Sequence, residues 1–153
     1  STNHLTDWGL GDWVPVRSKS NITLPSSIYY YTDVCILAKA ARLFGYAEDA
    51  SYYNTLAQKI KEAINTSILN KETGIYAEGT QTELAMPLYW GIVPEEDKKK
   101  VAARLHELVE KDDYHLDVGL LGSKALLSAM SDNGYAETAY KVASQDTYPS
   151  WGY

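Results

Sequence analysis

The chain is 153 residues long, the size of one ordinary domain, and its 45% hydrophobic and 22% charged residues are the proportions of a globular protein. A formal net charge of -6 argues against a nucleic-acid partner, which needs clustered Lys and Arg; the one basic run, Lys98-Lys99-Lys100, follows Glu95-Glu96-Asp97 and reads as a solvated helix face. No apolar run approaches membrane-spanning length, so no membrane partner is expected, and the single cysteine, Cys35, excludes an internal disulfide and a multi-cysteine metal site.

Residues 1–25 read as a loop built around Gly11-Asp12-Trp13. From there to about residue 147 the spacing predicts helix after helix. The first runs from about Ser27 to Phe44, with Tyr30, Val34, Leu37, Ala41 and Phe44 at helical intervals. The second, about Asp49 to Leu69, puts Tyr53, Leu56, Ile60 and Ile64 on one face and Gln58, Lys59, Lys61 and Glu62 on the other. A third, about Thr80 to Ile92, is apolar almost all round, and Pro87 is expected to kink or shorten it.

The fourth helix, about Pro94 to Lys111, is two-faced again, with Val101, Leu105 and Leu108 inward and His106 on the solvated side. The fifth, about Val118 to Ser131, is apolar on most sides and stops at Asn133-Gly134. The sixth, about Ala136 to Gln145, is expected to bury Ala139, Tyr140 and Ala143. Residues 148–153 form a closing loop, Tyr148-Pro149-Ser150-Trp151-Gly152-Tyr153.

The alternation of nearly all-apolar and two-faced helices is that of inner and outer layers, because a helix apolar all round must be covered on every side. Gly45-Tyr46-Ala47-Glu48 and Gly134-Tyr135-Ala136-Glu137 occupy the same turn, and Gly91-Ile92-Val93-Pro94-Glu95 fills that place in the middle unit. The expected fold is therefore all-α: about three αα-hairpins forming part of an (α/α) toroid, with a helical solenoid as the competing arrangement. In the toroid, the longer outer-to-inner connections all fall on one rim.

That rim carries the chemistry. An indole stacks on the apolar face of a sugar ring while a nearby carboxylate accepts from its hydroxyls, so the Trp13 and Trp151 loops suggest a carbohydrate pocket. Against this, an indole in a loop is more often a core plug than a ligand platform. With 13 Tyr and 4 Trp against one Phe, rings with polar edges dominate, which suits sugar contacts and plain helix packing alike. The rim carboxylates are Asp12, Glu78, Glu83 and Asp117. Thr80-Gln81-Thr82-Glu83 matches a capping box, Asp117 is placed to cap the fifth helix, and Asp12 is the one least easily explained by capping. His115 reads as a surface or hydrogen-bonding residue. No phosphate loop or dinucleotide fingerprint is present, and no cofactor is expected.

Gly11-Asp12-Trp13-Val14-Pro15 resembles the loop midway through the catalytic toroid of bacterial α-L-rhamnosidases, glycoside hydrolase family 78. So do Thr80-Gln81-Thr82 with the apolar helix ending Gly91-Ile92-Val93-Pro94, Gly119-Leu120-Leu121-Gly122-Ser123 with Leu126-Leu127, and Gln145 followed by Tyr148-Pro149-Ser150-Trp151-Gly152-Tyr153. These occur in the family's order and cover nearly the whole chain. The resemblance implies a six-hairpin (α/α)6 barrel, inverting hydrolysis of terminal α-L-rhamnosides, and sugar contacts from Asp12, Trp13, Gln81, Trp151 and Tyr153. It also implies that the general acid precedes the Gly-Asp-Trp loop and the general base follows the Trp-Gly-Tyr loop. Residues 1–153 are thus expected to be a partial toroid without a catalytic residue, partnered by the remainder of the catalytic domain or by a second copy at its open hairpin edges. Two other readings are a different toroid glycosidase using Asp12 and Glu83 as acid and base, and a non-catalytic hairpin scaffold that binds glycan or protein.

Overall fold

Asn21 decides where the first helix begins. Its side-chain oxygen accepts from the backbone amides of Thr23 (2.8 Å) and Leu24 (3.3 Å), and Pro25 lies in the first turn, where its missing N–H costs nothing. Helix α1 therefore spans Thr23–Leu43 in the computed structural model, which describes residues 3–153, and starts four residues earlier than the apolar spacing marks. The other helices are α2 (Ala47–Ser67), α3 (Gln81–Tyr89), α4 (Lys98–Lys111, entered through a 3₁₀ turn at Glu95–Asp97), α5 (Leu120–Ser131) and α6 (Ala136–Ala143).

The repeated Gly-containing stretches are the turns between inner and outer helices. Gly45, Gly91 and Gly134 all adopt left-handed φ, at 83°, 68° and 93°. After each, the next residue's amide reaches back five residues: Tyr46 to the Ala41 carbonyl, Ile92 to Pro87 and Tyr135 to Met130, at 2.8, 2.8 and 2.9 Å. Such a bond closes a helix through a residue that tolerates positive φ. Three hairpins result, α1–α2, α3–α4 and α5–α6, with α3 lying against both α1 and α5.

Burial follows the layers. In α3 every residue from Gln81 to Leu88 is buried, and the helix runs through Pro87 to Tyr89, where the Gly91 turn closes it. In α4 only Val101, Ala102, Leu105 and Val109 are buried. Two expectations are corrected here. Tyr140 and Ala143 of α6 are exposed, and Thr138, Ala139 and Val142 take the inward stripe. His106 is not simply solvated: its ring stacks on Tyr135 at 4.4 Å, and its Nδ1 lies 3.0 Å from the Thr138 hydroxyl, joining α4 to α6.

A short hairpin of strands β1 (Leu69–Asn70) and β2 (Ile75–Tyr76), paired antiparallel with Leu69 opposite Tyr76, follows α2 and takes up Leu69, the expected last residue of the second helix. The Asn70 side chain closes its turn by accepting from the Glu72 and Thr73 amides. The buried Tyr76 pins the hairpin to α2 by donating its hydroxyl to Asn65. The chain then enters α3 from the rim.

Candidate functional site

Four buried side chains tie the rim together, and Asp12 is the first. Gly11 turns the chain with φ 67°, and the Asp12 amide donates to the Ser20 hydroxyl at 3.0 Å. The carboxylate, 5% exposed, receives four donors: one oxygen accepts from the Thr82 hydroxyl and the Gly119 amide (2.7 Å), the other from the Leu121 (2.8 Å) and Gly122 (3.2 Å) amides. A carboxylate on the orphan amides at the start of α5 also meets the positive end of the helix dipole. So Asp12 is a cap after all, but for a helix more than a hundred residues away. Asp117, expected in that role, does not fill it, because α5 starts from Gly119 and receives its cap from Asp12.

The closeness of this joint explains two glycines. The Leu120 amide donates to the Trp13 carbonyl at 2.8 Å, and a Cβ on Gly119 would sit 2.3 Å from that same oxygen. A Cβ on Gly122 would come 2.3 Å from the Thr82 hydroxyl. The Gly-Leu-Leu-Gly run is therefore the space into which the Asp12-Trp13 loop docks.

Asp117 serves the same N-terminal loop. It accepts from the Arg17 amide (2.8 Å), the Ser18 amide (3.1 Å) and the Ser18 hydroxyl (2.6 Å). Burial pushes its pKa up, but the Ser18 and Arg17 hydrogen bonds and the Arg17 charge outweigh that and hold it below the usual carboxylate value. Arg17 also pairs with Asp112 at 3.2 Å.

Glu83 closes the capping box with Thr80 and accepts from Asn21 (2.7 Å), Glu78 (3.1 Å) and Thr80 (3.0 Å) amides. Gln81, 1% exposed, donates to the Asp112 carboxylate (2.8 Å) and the His115 carbonyl (3.1 Å), and accepts from the Asp117 amide (2.9 Å). Its amide group is thus occupied on both sides within the protein.

The aromatic groups face outward. Trp13 is 58% exposed and, with Trp8, Leu10, Leu120 and Leu121, lines an open hollow of about 800 Å³. A second hollow of about 510 Å³ shares the Trp8–Gly11 stretch and is walled by Tyr29, Tyr30 and Asp33 of α1. Trp151 (49% exposed) and Tyr153 (82% exposed) stand on the closing loop and do not line either hollow. Sequence reasoning passed over Trp8, although Asp7-Trp8 repeats the Asp12-Trp13 doublet five residues earlier. No group of three or more His, Cys, Asp or Glu among the described residues is arranged to hold a metal.

Comparison with known proteins gives one consistent set of relatives. The family model described as the bacterial alpha-L-rhamnosidase 6 hairpin glycosidase domain matches residues 1–153. An alpha-L-rhamnosidase of Streptomyces avermitilis is 32% identical over 145 residues, covering 95% of this chain and 14% of that protein. One from Alteromonas sp. (strain LOR) is 25% identical over 138 residues, covering 90% of this chain and 15% of that protein. Among solved structures, the S. avermitilis alpha-L-rhamnosidase complexed with L-rhamnose superposes with a TM-score of 0.91 at 32% identity, over 100% of this chain and 15% of that one. The alpha-L-rhamnosidase from Dictyoglumus thermophilum does so with a TM-score of 0.91 at 34% identity, over 100% of this chain and 18% of that one. The chain therefore spans about one-seventh of the length of the curated relatives it matches.

Proposed function

The chain belongs to the bacterial alpha-L-rhamnosidase six-hairpin glycosidase domain family, and on that premise we propose that the polypeptide carrying it releases terminal α-L-rhamnose with inversion at the anomeric carbon. In this reading, residues 1–25 and 148–153 are rim loops of a partial (α/α) toroid and the hairpins between them are its scaffold. Trp13 is the sugar platform, and Trp151 and Tyr153 are further sugar contacts offered by the closing loop, outside the hollow that Trp13 lines. Asp12 and Gln81 serve the sugar indirectly. With their polar atoms already taken by protein partners, they fix the loops that present the aromatic rings.

The observation that carries the proposal is the joint at Asp12. A carboxylate with four donors on two oxygens holds Trp13 by its own backbone at the mouth of a hollow while the indole stays exposed. A ring held rigidly over open space is already ordered for stacking, which lowers the entropic cost of binding. Inversion also needs an acid and a base roughly 6.5–9.5 Å apart with room for water between them. Asp12, Glu83 and Asp117 are poor candidates, since each accepts three or more hydrogen bonds within the protein. This argues against Asp12 and Glu83 as a local pair and for proton-transfer groups supplied elsewhere in the polypeptide. The exposed apolar residues Ile36, Leu37 and Leu43 of α1, with Phe44 just after it, fit the same picture as a surface for adjoining hairpins or a second copy.

Trp13→Ala tests the platform. Removing one stacked ring is expected to weaken L-rhamnose binding about tenfold, with little change in melting, because the indole is exposed. Titration by intrinsic fluorescence, alongside NMR of the first-formed anomer from an aryl α-L-rhamnoside, reads both parts. Unchanged affinity, or a product of retained configuration, overturns the proposal.

A further inference from the structure

The closing loop has little of its own to hold it. After α6 ends at Ala143, residues 145–153 form no regular structure, and Thr147, Tyr148, Trp151 and Tyr153 are exposed. Within the loop, the Tyr153 amide donates to the Ser150 hydroxyl at 3.1 Å, and the Tyr148 and Tyr153 rings meet edge-on at 5.5 Å. Among the described residues, two side-chain hydrogen bonds tie the loop to the α4–α5 turn. Gln145 donates to the Asp113 carbonyl at 3.1 Å, and Nε2 of His115 lies 2.8 Å from the Thr147 hydroxyl.

His115 is itself well placed to act as a fixed post. Its carbonyl accepts from the buried Gln81 amide group at 3.1 Å, and its own amide donates to the Asp112 carbonyl at 3.0 Å. Its Nδ1 lies 3.2 Å from that same carbonyl oxygen, which can only accept, so Nδ1 carries the proton in this contact. In the neutral ring, Nε2 is then the acceptor and the Thr147 hydroxyl the donor. The chain of contacts runs from buried Gln81, through His115, to Thr147 and the aromatic loop beyond it.

We propose that His115 is a positioning residue for the Trp151 loop, holding it through Thr147 at the angle at which its aromatic rings meet the sugar. The proposal rests on the reading of that loop as part of the rhamnose surface. It assigns His115 no contact with substrate and no role in proton transfer.

The test compares His115→Ala, His115→Gln and Thr147→Val in the polypeptide as it exists. Chymotryptic cleavage at Trp151, followed by mass spectrometry, reads release of the loop; L-rhamnose titration reads the surface. His115→Ala is expected to speed cleavage and weaken L-rhamnose binding about fivefold each, the effect of one lost hydrogen bond, with melting unchanged. In turnover the change should fall on KM more than on kcat. Thr147→Val should match it, the two together should add nothing further, and His115→Gln, whose amide oxygen can still accept from Thr147, should restore much of the loss. Unaltered cleavage in His115→Ala overturns the clasp. Faster cleavage with unaltered L-rhamnose affinity leaves the clasp standing and overturns the reading of Trp151 as a sugar contact.

Discussion

The loop before α1 and the loop after α6 each present an exposed indole, yet they are held by different physics. The first is fastened by ionised groups in buried positions: Asp12 receives the α5 amides, Glu83 receives the Asn21 amide, and Asp117 receives the Arg17 and Ser18 amides. Charge-assisted bonds shielded from water are strong, and removing one partner strands the other. The second is fastened by neutral contacts near solvent, from Gln145 and Thr147. Bonds of that kind compete with water and open easily. Trp13 therefore sits on a fixed wall, whereas Trp151 stands on a segment held by weaker bonds that open more easily.

The sharpest way to break this contrast is Asp12→Ala. It leaves the Thr82 hydroxyl and the Gly119, Leu121 and Gly122 amides without their acceptor, all at buried or part-buried positions. The expected cost is about 3–5 kcal/mol in urea unfolding, at the upper end of single substitutions. Asp12→Asn keeps the shape but turns an amide donor toward backbone donors, and should fall between the two. A loss below about 1 kcal/mol for Asp12→Ala would show that the first loop is no better anchored than the second.

Asp117 sharpens the contrast through pH. Its folded pKa lies below the unfolded value, so its stabilisation is complete at neutral pH and is lost as pH falls below about 3.9 and through the folded pKa. Acid should therefore loosen the Arg17-Ser18 attachment of the first loop. Asp117→Asn is expected to cost about 1–2 kcal/mol at pH 7 and to flatten the acid limb of the stability curve. An acid limb identical to that of the unmodified chain would mean that Asp117 does not carry this anchorage.

What could be read from sequence follows the range of the interactions. The glycine turns at 45, 91 and 134 and the Thr80–Glu83 capping box are closed by bonds within a few residues, and both were visible as spacing. The layering was visible because α3 is apolar on every side. The partner of Asp12 was not, because the amides it caps are 107 to 110 residues away and no local spacing records such a contact. The partners of Gln81 were hidden for the same reason: Asp112, His115 and Asp117 are 31 to 36 residues distant. The α6 phase error is of another kind, since eight residues give too few turns to fix which of two neighbouring stripes faces inward.

Gln145→Ala carries the smallest expected effect and is informative for that reason. Its side chain makes a single neutral bond, to the Asp113 carbonyl, and Asp113 is exposed, so water can replace it. The cost should be about 0.5 kcal/mol or less. Gly152 nevertheless packs so closely against Gln145 that a Cβ there would come 2.5 Å from the Gln145 carbonyl oxygen. That backbone packing survives removal of the side chain, so the loop should keep its path and chymotryptic cleavage at Trp151 should rise less than in His115→Ala. If Gln145→Ala instead frees the loop as fully as the histidine variant, the two contacts act as one cooperative clasp. The contrast between the loops then narrows from strong against weak to buried against exposed.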